Sequence, residues 1–162
     1  MRSVMMAGTM LPALAVSLPA LAADVSKSVM AKGSVDKAWA AIGDFCGIKD
    51  WHPVIANCVL SEKDGAKVRT LTTKDGAVLV EKMTQWDDAA HSYGYAILES
   101  PLPVANYVST IAVKDGADAG TVSITWSSTF DPKGASEDDA RKVIAGIYDA
   151  GLGSLKAKLD AQ

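Results

Sequence analysis

The chain is poor in the residues that metal, redox and nucleophilic chemistry draw on. It carries two cysteines and two histidines in 162 residues, in no spacing that resembles a zinc site, and no serine or cysteine sits in a nucleophile elbow. Positive charge is also scarce: 16 Lys and Arg stand against 19 Asp and Glu, for a formal net charge of −3. That balance repels phosphate backbones and anionic headgroups, so nucleic acid is not expected as a partner. After residue 22 no run is long or apolar enough to span a bilayer. There is no internal repeat and no sign of a second domain. What remains, 49% hydrophobic and 22% charged, has the make-up of one ordinary globular domain.

The N-terminus points to a compartment. Arg2 is followed by an apolar stretch from Val4 to Leu18, then Pro19 and the small-residue pattern Ala20-Leu21-Ala22, which reads as a secretory signal. The run of about 15 residues is short of the roughly 20 that a spanning helix needs. We therefore expect residues 1–22 to be cleaved, leaving residues 23–162 as a single domain in the periplasm or outside the cell, with a formal charge shifted to about −4 by the loss of Arg2. In an oxidising compartment Cys46 and Cys58 are expected to form a disulfide. Two separate buried thiols are the competing arrangement, because sequence does not show whether their Cα atoms lie within bridging distance.

The mature chain reads as α+β. Val25 to Lys32 has the alternation of a strand. Ser34 or Asp36 can cap a short helix through Ile42, and a second helical turn ends at Pro53. From Val54 onward, breaks at Lys63-Asp64-Gly65, Lys74-Asp75-Gly76, Asp87-Asp88, Ser100-Pro101-Leu102-Pro103, Lys114-Asp115-Gly116 and Asp131-Pro132 recur near every ten residues and predict an antiparallel meander. In its clearest strand Val122, Ile124, Trp126, Ser128 and Phe130 share one face. Ser136-Glu137-Asp138-Asp139 resembles a capping box. A long helix should follow, because Ala140, Val143, Ile144, Ile147, Tyr148, Gly151, Leu152, Leu155 and Leu159 form one apolar stripe. Gly146, Gly151 and Gly153 each cost that helix about 1 kcal/mol relative to Ala; a close neighbour or a simple kink would explain them. The expected order is strand, two short helices, six strands and a long C-terminal helix covering one face of a curved sheet.

This order, with Val35-Asp36-Lys37-Ala38-Trp39, Trp51-His52-Pro53, Asp75-Gly76 followed by Glu81, and Ser100-Pro101-Leu102-Pro103-Val104, resembles the START-like or helix-grip superfamily, with its polyketide cyclase/dehydrase and lipid-transport family. The signal segment, Trp51-His52-Pro53 and the run Pro101 to Tyr107 look most like the periplasmic branch that includes accessory proteins of bacterial methanol oxidation. The resemblance implies about seven strands wrapped on the C-terminal helix, with a hydrophobic cavity between them for lipids, hormones or polyketides. It implies catalysis only in some members.

Several side chains are candidates for such a cavity. If the turn at Lys74-Asp75-Gly76 is a three-residue loop with Gly76 left-handed, Thr73 pairs with Ala77, Leu71 with Leu79 and Arg69 with Glu81, all on the concave face with Met83. A two-residue turn would instead set Thr70 opposite Glu81 and separate the pair. An Arg–Glu pair among apolar neighbours is either a polar anchor for a ligand or a structural pair at a wet margin. His91, Tyr93, Tyr95, Ile97 and Glu99 share one parity, so Tyr93 and Tyr95 either orient a ligand or belong to the core. His52 is the best candidate for proton transfer, though a lone loop histidine is more often structural. Trp126 and Tyr148 complete the expected lining. The leading expectation is a secreted protein that binds a small apolar or amphipathic molecule with no metal or cofactor. The alternatives are a cyclase or dehydratase using Arg69 with Glu81 or His52, and an accessory protein that docks on a periplasmic redox protein.

Overall fold

A computed structural model describes residues 22–162. The signal segment expected over residues 1–22 lies, as far as residue 21, outside the described residues. The elements run β1 (Ala23–Lys32), α1 (Val35–Ile42), α2 (Ile48–Trp51), β2 (Ile55–Lys63), β3 (Ala66–Thr73), β4 (Val78–Asp87), β5 (Ser92–Glu99), β6 (Val104–Asp115), β7 (Thr121–Pro132) and α3 (Glu137–Asp160). The seven strands form one sheet in the order β1-β7-β6-β5-β4-β3-β2, and every pairing is antiparallel. This is the helix-grip arrangement of the α+β class. Among the described residues no helix is long and apolar enough to cross a membrane.

Local chemistry sets the boundaries. Ser34 caps α1 by accepting from the Lys37 amide, and Gly43 closes it at φ 74°. Ser136 Oγ caps the start of α3 by accepting from the Asp139 amide, and it donates its own hydrogen to Asp139 Oδ2 at 2.8 Å, which holds the capping hydroxyl in place. The Lys74-Asp75-Gly76 turn is the three-residue form. Gly76 has φ 90°, the Thr73 amide donates to the Ala77 carbonyl at 2.9 Å, and the register sets Leu71 opposite Leu79 and Arg69 opposite Glu81. The two-residue alternative is thereby excluded.

One face of α3 closes the concave side of the sheet through Ala140, Ile144, Tyr148, Gly151, Leu152, Leu155 and Leu159, all buried. The stripe is narrower than its periodicity predicts: Val143 is exposed and Ile147 borders a cavity. The sheet-side core is Val122, Ile124, Trp126 and Phe130 from β7 with Ile111 and Val113 from β6. Polar contacts along β1 fix the axial position of α3. Lys27 Nζ pairs with Asp149 at 2.9 Å, and Asp160 Oδ1 accepts from the Lys32 amide at 2.8 Å. At the other side of the sheet, Cys46 and Cys58 form a disulfide with Cα atoms 5.6 Å apart. It ties the α1–α2 connection to the edge strand β2, and a loop of this length is worth about 3 kcal/mol in the chain-entropy account.

Candidate functional site

Between α3 and the concave face lies a cavity of about 500 Å3. Its walls are mostly aliphatic, among them Ile48, Leu71, Leu79, Ile97, Ile144 and Ile147. The β3–β4 turn at Lys74-Asp75, the Pro101-Leu102 loop and Pro53-Val54 contribute the rest of its rim. The polar members of the wall include His52, Glu81, Tyr95, Tyr107, Trp126 and Tyr148, and an apolar cleft with a few convergent polar groups is the usual form of a small-molecule site.

Glu81 enters the wall from β4 with a partner behind it. Arg69 Nε donates to Glu81 Oε2 at 2.6 Å, and its Nη1 donates to the Phe45 carbonyl at 2.6 Å. The guanidinium is sandwiched by rings, 4.2 Å from the centroid of Phe45 and 4.9 Å from that of Tyr95. Burial is the largest single influence and penalises its charge, but the attraction and hydrogen bond of Glu81 together with the neighbouring Tyr93 and Tyr95 outweigh it and hold the Arg69 pKa above its ordinary value. Arg69 Nη2 has no acceptor within hydrogen-bond geometry and lies in this aromatic surround. Oε1 of Glu81 takes no hydrogen bond from any described residue.

A second polar group is a relay of hydroxyls whose direction can be worked out. Ser109 Oγ donates its one hydrogen to the Ser127 carbonyl at 2.8 Å. Its contact with Tyr148 Oη at 3.2 Å must therefore be donated by Tyr148. With that hydrogen committed, the close contact between Tyr107 and Tyr148 is donated by Tyr107. Trp126 Nε1 donates to both Tyr95 Oη (3.1 Å) and Ser109 Oγ (3.0 Å), and its indole stacks on Tyr148 with centroids 4.3 Å apart. Tyr95 is left with the loosest contact, 3.5 Å to Tyr107. Burial raises the pKa of Tyr95, Tyr107 and Tyr148, so the relay is neutral.

His52 is held at both nitrogens. Nδ1 accepts from the Val54 amide at 3.4 Å, which fixes Nε2 as the protonated nitrogen that donates to the Ile147 carbonyl at 3.0 Å. Burial lowers its pKa, the Ile147 contact opposes this, and the charge of Arg69 lowers it further. The neutral ring thus joins the α2 end to α3. It fits there because Gly151 leaves room: a Cβ on Gly151 would stand 2.5 Å from His52 Cδ2 and 2.9 Å from Trp126 Cζ3. Of the three helix glycines Gly151 is the one that a close neighbour requires, since Gly146 and Gly153 face open space.

The structure brings five of the expected lining residues, His52, Glu81, Tyr95, Trp126 and Tyr148, to one cavity. Arg69 and Tyr93 are not in its wall. Arg69 is drawn back by the Phe45 carbonyl, and Tyr93 stacks on Trp86 at 5.2 Å on the Phe45 side of the guanidinium. Tyr107 and Ser109 were not expected in the site. Their signal was the alternation Tyr107, Ser109, Ile111, Val113 on β6, which a bulge between Ala105 and Val108, with Asn106 at φ 51°, sets out of phase with Val104. Among the described residues no three His, Cys, Asp or Glu side chains gather as a metal site.

The family described as polyketide cyclase / dehydrase and lipid transport matches residues 22–160. The chain belongs to this family. Among solved structures, the protein XoxI from Bacillus cereus is 36% identical with a TM-score of 0.80, covering 85% of this chain and 95% of that one. A protein from Bacillus thuringiensis is 35% identical with a TM-score of 0.79, covering 85% and 98%. The Zhui aromatase/cyclase from Streptomyces sp. R1128, at 17% identity and a TM-score of 0.69 over 86% and 94%, shares the fold. No curated protein matches the chain.

Proposed function

We propose that the protein is a secreted, periplasmic binding protein for a small hydrophobic or amphipathic molecule of lipid, polyketide or quinone-like type, held between the sheet and α3. The observation that carries this reading is the 500 Å3 aliphatic cavity that ends on buried hydroxyls and a carboxylate: apolar walls supply affinity and the polar end fixes orientation. The N-terminal segment supports the compartment. A ligand at a hundred times its Kd should stabilise the fold by about 2.7 kcal/mol, or roughly 5–10 °C in a domain of this size. Thermal melts of the mature protein across lipid, quinone and polyketide panels test this, beside native mass spectrometry of protein taken from a periplasm. No shift on any panel and a clean apo mass would refute it.

The resemblance of Trp51-His52-Pro53 and the run Pro101 to Tyr107 to the branch with methanol-oxidation accessory proteins, with which similarity to XoxI is compatible, favours a second role, in which the protein docks on a periplasmic redox enzyme. Pull-down from periplasm tests that role, and a reproducible redox partner is the result it requires. A cyclase or dehydratase reading has less support in the geometry, because both nitrogens of His52 are engaged by backbone groups and only Glu81 is left as an acid or base. Turnover abolished by Glu81→Gln with folding intact would restore it.

A further inference from the structure

Resting on the binding reading above, we propose that the cavity selects neutral ligands whose polar end is a hydroxyl, such as alkylphenols, and rejects the carboxylates of matching shape. The argument is an inventory of donors and acceptors at the polar end. Ser109, Tyr148 and Tyr107 each have their hydrogen committed along the relay to the Ser127 carbonyl. Tyr95 alone has a hydrogen in a contact as long as 3.5 Å, so it is the one hydroxyl of the relay from which a ligand oxygen can readily accept. Glu81 lines the same cavity as Tyr95, and its charge is felt at the Tyr95 hydroxyl. Its Oε1 is an acceptor without a partner, in the wall of the same cavity.

The polar end therefore presents one donor and one anionic acceptor. A hydroxyl answers both, accepting from Tyr95 and donating to Glu81. A ligand carboxylate accepts only, and would be buried beside a second carboxylate whose counter-charge, Arg69, is already engaged with Glu81 and the Phe45 carbonyl and does not reach the wall. A ligand ammonium donates but cannot accept from Tyr95, and it meets a carboxylate that Arg69 already neutralises. Discrimination of this kind is strong because the wrong partner leaves a buried polar group unmatched.

The test uses the mature protein with 4-heptylphenol, 4-heptylbenzoate and heptylbenzene, by calorimetric titration at neutral pH. The phenol should bind at least about tenfold more tightly than the benzoate, the value of one well-matched buried hydrogen bond. Tyr95→Phe should cost the phenol about tenfold and leave heptylbenzene unchanged. Glu81→Gln, where it folds, should narrow the gap between phenol and benzoate. Equal or tighter binding of the benzoate overturns the selectivity while the binding reading stands, and so does an unchanged phenol affinity in Tyr95→Phe. Binding of none of the three overturns both.

Discussion

Gly151 of α3 and His52 at the end of α2 are packed so closely that a single methyl group between them would lie 2.5 Å from the imidazole. The contact holds the helix and the cavity rim in one fixed relation, because the same imidazole donates to the Ile147 carbonyl one turn earlier on α3.

Gly151→Ala should therefore destabilise the protein in spite of the better helix propensity of alanine. Overpacking costs about 1–3 kcal/mol, against a propensity gain of about 1 kcal/mol. Gly146→Ala and Gly153→Ala, which meet nothing within 4 Å, should each stabilise by about 0.5–1 kcal/mol. Urea denaturation of the three variants checks this, and a stabilised Gly151→Ala would show that α3 can move away from His52.

Arg69 and Glu81 should behave as a unit. Arg69→Met leaves a carboxylate buried without its partner, at a cost of about 3–5 kcal/mol, whereas replacing both residues together by Met and Leu should recover most of the loss. A double-mutant cycle in urea gives the coupling directly. If the double variant is as unstable as the sum of the single ones, the pair is not coupled.

His52 should make stability depend on pH. Its pKa is about 6.5 in the unfolded chain and lower when folded, because burial penalises the imidazolium. The unfolded state then binds more protons on acidification, so this contribution is complete above about pH 6.5 and is lost as pH falls through the folded value. Urea midpoints of the wild type and His52→Asn at about pH 7.5 and about pH 5 check it. The wild type should lose more stability than the variant, and parallel losses would mean that His52 is not the group responsible.

The order of elements was legible in the sequence because the punctuation was strong. Gly76 and the Lys74-Asp75 pair narrowed the loop to two lengths, and the three-residue form that the structure adopts sets Glu81 of β4 opposite Arg69. Glu81 was thus a candidate from the sequence on the condition of that loop length. The depth of each side chain could not be read in the same way. Arg69 and Glu81 are opposite one another on the same face, yet only Glu81 reaches the cavity, because the Phe45 carbonyl, twenty-four residues away along the chain, draws the guanidinium back. Tyr93 and Tyr95 likewise share one face of β5 and differ in which neighbour each meets, Trp86 for one and the Trp126 indole N–H for the other. Tyr107 and Ser109 were hidden by a bulge that breaks the alternation just where β6 begins. Periodicity assigns a face; contacts distant in sequence decide what lies behind that face.

The hydroxyl relay ends on a main-chain oxygen of β7, that of Ser127. A carbonyl cannot donate, so the orientation of every O–H between it and the cavity is inherited from the backbone, and no side-chain rotation can reverse it while Ser109 is in place. The chemical sense of the relay, with the hydrogens of Tyr107, Tyr148 and Ser109 all directed toward the backbone and only that of Tyr95 loosely held, is in this respect a property of the sheet. Taking away the Ser109 hydroxyl would cut the relay from its anchor and free the Tyr148 and Tyr107 hydrogens to turn toward the cavity or toward Tyr95, so that a residue outside the cavity wall governs which end of a ligand the protein prefers.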